Sequence, residues 1–468
     1  MPETAPTAAI TARIVIKQLD AQKPVVRLSA QLAQNLQVRC GEKVMLQAGQ
    51  LTRQVHVQAI SAAAEPADHG VTEHRYLALS RKELNALGLT AGRQVHMRAE
   101  PHRLRLGPVV GILAPRRTGL AKPYQAQTSL FKRIIQAARE LGIVLYVFDF
   151  HAINWKKSSV HGYTYQEGRW IGRTYPLPDV VFDRATGSFP GGSGAADAAR
   201  RKLTQQYGIP IFNTKLGNKL RMHKLLQVDP ELRSHLPSTR RVRNDAVVAD
   251  ILTRHKGAYL KPQNGAQGKG IIRLRKGAKG VHYTLTTDSY QRLQGRAATV
   301  SGALAQLRSR VRLIGYLAQP ELSLIRLQGR ICDVRVLIQR DDTGEWQVTG
   351  VAVRAGKPGS VVSNIHGGGK ALKLEDVIER TLGDAVDSEH IAATVKRLAL
   401  RVGEVLSRST RCLGELGVDL GIDTKGRVWI IEANSRTGRA AFRRAGLKES
   451  AGLADRRPLL FAKYLAGF

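Results

Sequence analysis

Apolar positions along the chain change their spacing twice. From 12 to 106 they come as short β-branched runs, Arg13-Ile14-Val15-Ile16 and Gln54-Val55-His56-Val57 among them, broken by an Ala/Pro/Asp/Gly stretch at 61–72. Runs of this length predict strands. The segment also repeats itself: a shift of 51 lays Leu28 on Leu79, Ser29 on Ser80, Leu36 on Leu87, Gly41 on Gly92, Val44 on Val95 and Ala48 on Ala99. Each copy reads as strand, Ser-capped short helix, Gly turn and strand. Neither half alone would bury its apolar face, so two copies are expected to close one small barrel.

From Gly107 apolar strands alternate with amphipathic helices: Val109-Val110-Gly111-Ile112-Leu113, a helix over about 125–141, then Ile143-Val144-Leu145-Tyr146-Val147-Phe148. After an insertion with Trp155 and Trp170 come Asp179-Val180-Val181-Phe182-Asp183, a helix near 195–207, and Ile209-Pro210-Ile211-Phe212-Asn213. This alternation predicts an α/β layer with a parallel sheet. Beyond about 215, helices mix with long alternating strands, an α+β pattern. The divisions expected from these changes are 1–106, 107–215 and 216–468.

The chain has 468 residues, 43% of them hydrophobic, an ordinary globular balance. Its charge is unusual: 73 Lys and Arg against 37 Asp and Glu leave +36, and the pI is near 10.7. That calls for a partner or substrate rich in phosphate or carboxylate. No apolar stretch reaches the roughly 18 residues of a membrane span, and the start lacks a basic region followed by an apolar core. Cys40, Cys332 and Cys412 are widely spaced with no C-x-x-C, which supports neither a disulfide framework nor a zinc site. An unexported, cytoplasmic protein is expected.

Four segments carry candidate chemistry. Lys261 ends an apolar strand and precedes a loop with Gly265, Gly268 and Gly270, a hairpin that serves either as a surface turn or as a mobile cover for phosphates. The Walker A spacing is absent. In residues 416–435, a four-residue turn at Thr424–Arg427 would set Asp419 opposite Glu432, with Asn434 on the same face. Two carboxylates so placed repel unless something positive lies between them, and magnesium is the natural candidate. Asp423 lies roughly 13 Å from Asp419 at strand rise, too far for the same ion. Asp333 and Arg335 share one face of an apolar strand, where they either pair with each other or serve a ligand. Last, Ser363-Asn364-Ile365-His366-Gly367-Gly368-Gly369-Lys370 follows Arg354 by ten residues.

Taken in order, these motifs resemble the ATP-grasp superfamily over about 107–445, with the pattern of RimK-like amino-acid ligases in Asn218-Lys219-Leu220-Arg221, Lys261 to Gly270, Asp333-Val334-Arg335, Ser363 to Gly368, Gly417-Val418-Asp419 and Glu432-Ala433-Asn434. The insertion GYTYQEGRWIGRTYPLPDVVFDR and the segment AQPELSL look more like the YheC/YheD branch of endospore coat-associated ATP-grasp proteins. The resemblance implies an ATP-grasp fold with a lid over about 236–318, preceded by a Rossmann-like pre-ATP-grasp domain, while the N-terminal repeat looks like double-psi barrel modules.

For the site, the resemblance implies ATP and Mg2+ as cofactors. Lys219 and Lys261 would reach the phosphates, Gly265, Gly268 and Gly270 would close over them, and Gln319 and Glu321 would stand at the hinge that reads adenine. Asp333 and Asn364 would contact the nucleotide, and Asp419, Glu432 and Asn434 would hold the metal. Arg335 and Arg354 would hold a carboxylate and its developing phosphate. Val362 and Thr437 depart from the pattern, standing where arginine and proline are usual. The implied reaction joins a carboxylate substrate to an amine through an acylphosphate, with an acidic polypeptide drawn to the arginines at 436–457 as the expected acceptor. Competing readings are a spore-coat protein that keeps the fold without turnover and a basic nucleic-acid-binding protein. Against the latter, aromatics are 5% of the chain and not interleaved with the basic runs.

Overall fold

The computed structural model describes residues 10–468 apart from 22–23, 36–37, 60–75, 101, 186–191, 266–267, 364–368, 384–385 and 410–411. The chain divides into two compact units, one comprising the chain up to Thr214 with Arg340–Glu345 and Asp455–Phe468, the other Lys215–Gln339 with Trp346–Ala454.

The first unit opens with β1 (Ile10–Leu19), β2 (Val25–Leu28), α1 (Ala30–Asn35), β3 (Lys43–Ala48), β4 (Leu51–Ala59), β5 (Tyr76–Ser80), α2 (Arg81–Leu87), β6 (Gln94–Glu100) and β7 (Arg103–Gly107). These strands close a barrel in the order β1-β5-β2-β4-β3-β7-β6. The 51-residue shift carries β2, α1 and β3 onto β5, α2 and β6. Pairing is exchanged between the copies, β1 running parallel to β5 and β3 parallel to β7. Each copy therefore supplies the other's missing edge, and Ile14, Ile16, Leu46, Leu77 and Leu79 are buried inside. Ser80 caps α2 by accepting from the Glu83 amide, and Gly88, at φ 68°, ends it.

Next come β8 (Val109–Leu113), α3 (Thr128–Glu140), β9 (Val144–Phe148), β10 (Ile153–Asn154), β11 (Ser159–Gln166), β12 (Arg169–Pro176), β13 (Val180–Asp183), α4 (Gly192–Gln205) and β14 (Ile211–Phe212). β9, β8, β13 and β14 are parallel neighbours, and β11 adds antiparallel beyond β9. Buried Phe131, Ile134, Ile135 and Ala138 form one stripe of α3, at helical spacing. The Trp170 insertion is the β11–β12 hairpin, whose Trp170 ring lies edge-on to Tyr124 at 4.9 Å.

The second unit begins with α5 (Lys219–Gln227), α6 (Pro230–Ser234), β15 (Arg240–Arg241), α7 (Asp245–Arg254), β16 (Gly257–Pro262), β17 (Ile272–Gly277), β18 (Gly280–Thr286), β19 (Arg292–Ala297), α8 (Val300–Arg308) and β20 (Tyr316–Pro320). Six of its strands form a sheet, β15-β20-β16-β17-β18-β19, with α7 and α8 packed on Leu260, Leu274 and Leu285. Then follow β21 (Arg326–Leu327), β22 (Arg330–Arg340), β23 (Trp346–Ala355), β24 (Lys370–Leu372), α9 (Leu374–Leu382), α10 (Ser388–Ser409), β25 (Glu415–Ile422), β26 (Val428–Asn434), α11 (Ala440–Arg444) and α12 (Lys448–Leu465). Here the sheet order is β24-β23-β22-β25-β26, with β21 beside β22. α10 buries Ile391, Val395, Leu398, Val402 and Leu406, one face of six turns, against it. Every residue of β25 is buried, so its carboxylates Glu415 and Asp419 need partners inside the protein.

No helix of the described residues is long and apolar enough to cross a membrane.

Candidate functional site

The site is built on the β25–β26 hairpin of the second unit. Asp419 faces Glu432, and Gly417 faces Asn434. The connection is one residue longer than the four-residue turn, because Ile422 already pairs with Val428, and a bulge at Ile431 restores the register. Asp423 fastens the turn: its Oδ1 accepts from the Lys425 and Arg427 amides and its Oδ2 from the Trp429 indole.

The carboxylates of the sheet are neutralised by guanidinium groups. Arg335 donates to both oxygens of Asp419, the Nη2 bond measuring 3.0 Å, and through Nη1 to Thr437 Oγ1 at 2.7 Å. Arg354 donates through Nε to Asp333 Oδ1 at 2.7 Å and through Nη2 to Oδ2, and that Nη2 also lies 3.2 Å from Asp419. Asp333 and Arg335, neighbours on one strand face, thus pair across the sheet and not with each other. Ser363 completes the chain by donating to Asp333. Burial works against the charge on Asp419, but Arg335 and Arg354 outweigh it and hold its carboxyl below the usual range. The same balance raises Arg354: burial would lower it, and Asp333 and Asp419 prevail.

Two lysines face this charge chain. Asn218 caps α5 by accepting from the Arg221 amide, and its Nδ2 donates to Gln263 at 3.2 Å, which sets Lys219 at the head of the helix. Lys219 Nζ lies 3.3 Å from Glu432 Oε1 and donates to the Gly265 carbonyl. Lys261 has no ion-pair partner among the described residues. Burial pushes its ammonium down to about 8, opposed by Glu432 and reinforced by Lys219. Gly268 and Gly270 sit at φ 75° and 69°, where a side chain would be strained. The foot of this loop is pinned by Tyr316, whose hydroxyl donates to the Gly270 carbonyl at 3.0 Å.

A cavity beside the lysines is lined by Lys219, His223, Thr239, Lys261, Gln319 and Glu432, with Met222, Leu226, Leu236, Leu317 and Ile430 as its apolar wall. Gln319 Nε2 donates to Thr239 Oγ1 at 2.8 Å. Sequence reasoning missed His223 and Thr239. His223 was legible as the residue one turn after Lys219 on the same helix; nothing local marks Thr239.

Glu321 stands apart from the cavity, held by Arg273, 2.9 Å from Nε to Oε1, and by Arg275, 2.6 Å from Nε to Oε2. Of the two residues expected at the adenine hinge, Gln319 on β20 lines the cavity, and Glu321, just past the end of β20, is turned to these arginines. Asn364 lies outside the described residues. The arginines expected to act as one patch after Asn434 are divided between the two units, and Arg439 is buried in an ion pair with Glu415.

No group of three His, Cys, Asp or Glu side chains suited to a metal is gathered among the described residues. The expected set offers two carboxylates and a carboxamide, all hard oxygen donors on adjacent strands, which fits magnesium. Asp419 is already neutralised by two guanidiniums, so Glu432 and Asn434 are the donors less committed to protein partners.

The family of YheC/D-like ATP-grasp proteins matches residues 208–465. Endospore coat-associated protein YheD of Bacillus subtilis (strain 168) is 30% identical over 367 residues, 78% of this chain and 80% of that protein. Endospore coat-associated protein YheC of the same organism is 26% identical over 298 residues, 63% of this chain and 80% of that protein. The solved structure of the ATP-grasp ligase PsnB with precursor peptide PsnA2 and AMPPNP is 16% identical, covers 76% of this chain and 98% of its own, and superposes at a TM-score of 0.42, too loose a likeness to carry an argument about the site. On the family match and the YheD identity together, the chain belongs to the YheC/D-like ATP-grasp family.

Proposed function

We propose that this protein is an ATP-dependent carboxylate–amine ligase that acts on an acidic polypeptide. The observation that carries the reading is Lys261: every other cation of the cluster has a carboxylate, while this lysine is partly buried, its charge is resisted by burial, and it faces a cavity beside a glycine loop. A buried cation without a partner is costly, and a phosphate group removes the cost.

In this reading Lys219 and Lys261 bind the nucleotide phosphates, the Gly265–Gly270 hairpin closes over them, and Gln319 and Thr239 meet the base. A carboxylate oxygen of the acceptor attacks the γ-phosphorus, and the bond to the ADP oxygen breaks. The amine nitrogen then attacks the carbonyl carbon of the acylphosphate, phosphate leaves, and the nitrogen gives up its proton. Arg335 and Arg354, locked by Asp333, Asp419 and Thr437, balance the two carboxylates and hold the strands that carry the site in fixed positions. Magnesium, held by Glu432 and Asn434 with Asp419, would neutralise the β- and γ-phosphate oxygens. The names of the two relatives extend the proposal to a protein associated with the spore coat.

The test is ADP release with magnesium, mixed amino acids and acidic, neutral or basic peptides, read alongside mass spectrometry for products heavier by one residue minus water. Products from acidic peptides support the reading; ATP binding without any peptide-dependent product would favour a silent coat protein. Glu432→Gln should lower kcat by about 100-fold while the fold persists, because the shape stays and the ligand charge goes. No gain in Tm is expected from it: Lys219 and the Arg335–Arg354 pair already offset the repulsion between Asp419 and Glu432. An unchanged kcat would remove Glu432 from the metal site.

A further inference from the structure

The positive charge of the chain is concentrated in one segment. Residues 236–318 hold sixteen Lys and Arg against three Asp. Asp245 and Asp250 are already paired, with Arg308 and Arg240.

The register of the six-stranded sheet shows where much of this charge is displayed. Residues directly opposite on antiparallel strands point to one face. Gln319, Tyr259, Arg273, Thr284 and Gln294 form one such row across β20, β16, β17, β18 and β19. Arg275, His282 and Arg296 form the next, and Arg292 lies opposite Thr286 on the other side. Lys261, two residues from Tyr259, shares this face. The opposite face is apolar and covered by α7 and α8. A polar, basic surface therefore runs from the candidate nucleotide site to β19, the last strand of the sheet. Its outer residues Arg275, His282, Arg292, Gln294 and Arg296 are exposed.

This face already binds one carboxylate. Arg273 and Arg275 grip Glu321 through four contacts of 2.6 to 2.9 Å. β19 is the last strand of the sheet and pairs with no further strand among the described residues. The Arg296 carbonyl accepts from Gln306 Nε2 at 3.4 Å and Arg292 donates to the Gly359 carbonyl, and the rest of this edge can be joined by the backbone of an extended peptide and not by a nucleic acid.

We propose that the outer part of this sheet face, with the edge of β19, docks an extended acidic polypeptide through Arg292 and Arg296. Taking that polypeptide as the substrate rests on the ligase reading above; the binding itself does not. The location differs from the arginines at 436–457, which are split between units and partly paired.

The experiment is fluorescence anisotropy of a labelled decaglutamate at low salt without nucleotide. Wild type is compared with Arg292→Glu/Arg296→Glu and with Arg310→Glu/Arg312→Glu, a matched charge change in the exposed loop after α8. The β19 pair should bind about tenfold more weakly or worse, and the matched pair should stay within about twofold of wild type. The neutral pair Arg292→Gln/Arg296→Gln should lose binding in the same direction, which covers a misfolded charge reversal. Equal loss in the matched pair, or displacement of decaglutamate by a single-stranded oligonucleotide at lower concentration, would overturn the proposal. A fluorescent ATP analogue is titrated into each variant separately. Lost ATP binding in the wild type with peptide binding intact would sink the ligase reading and leave the surface standing; the converse would sink the surface alone.

Discussion

Asp419→Asn is expected to cost about 3–5 kcal/mol of stability, the size seen when one partner of a buried charge network is removed. Asp419 is 6% exposed on a strand buried throughout, and it receives Arg335 on both oxygens and Arg354 on one. Without its charge, the buried Arg335 guanidinium is left with the neutral Thr437 hydroxyl, while Arg354 keeps Asp333. The sign with pH follows from the depressed carboxyl. Its contribution is full above the ordinary carboxylate range and is lost as pH falls through the lower folded value, so the variant and wild type should converge only in strong acid. Urea unfolding of wild type, Asp419→Asn, Arg335→Gln and the double variant checks this. The double should be less unstable than the sum of the singles, because each removes the other's orphan. Additive losses, or a change below about 1 kcal/mol in Asp419→Asn, would show that the pair is not the unit of stability.

Thr437 explains part of that arrangement. A Cβ at Gly417 would lie 2.2 Å from Thr437 Oγ1, so the bare backbone at 417 is what lets Thr437 reach Arg335 Nη1. Gly417→Ala should therefore cost about 1–3 kcal/mol by overpacking and free one arm of Arg335, read as a lower Tm. An unchanged Tm would mean Thr437 can step aside.

The architecture was legible because it rests on periodicity. The 51-residue repeat announced a barrel whose copies exchange strands, and strand–helix alternation announced the parallel sheet. The opposition of Asp419 and Glu432 came out of the sequence through two compensating errors: a longer turn and a bulge at Ile431 cancel. Strand pattern fixes a face, but bulges leave no such trace. Partners across strands were the least legible. Asp333 and Arg335, two apart on one face, invited an internal pair, yet each finds its mate on a neighbouring strand. Gln319 and Glu321, two residues apart, were named together, yet Gln319 on β20 lines the cavity and Glu321, just past the strand, is held by Arg273 and Arg275, a division that only tertiary contacts make.

Lys261→Met should abolish nucleotide binding and leave the unliganded protein as stable as wild type or more so. Burial lowers the ammonium to about 8 from an ordinary value of 10.5, so the folded protein holds that charge at a cost at neutral pH. Because the folded value is depressed, the cost is constant below about 8 and fades as pH rises from there toward 10.5. A methionine of similar length keeps the packing and drops the charge, so Tm at pH 7 should rise by roughly 2–4 °C, the gap closing in alkali. Function is where the charge is repaid: triphosphate oxygens would stabilise the ammonium, so wild-type ATP binding should take up a proton near pH 8 and weaken as pH rises beyond it. Calorimetry in two buffers of different ionisation enthalpy reads that proton directly. Binding with no buffer dependence at pH 8.5, or an Lys261→Met variant that binds ATP as wild type does, would show that Lys261 is buried for packing and that the phosphates lie elsewhere.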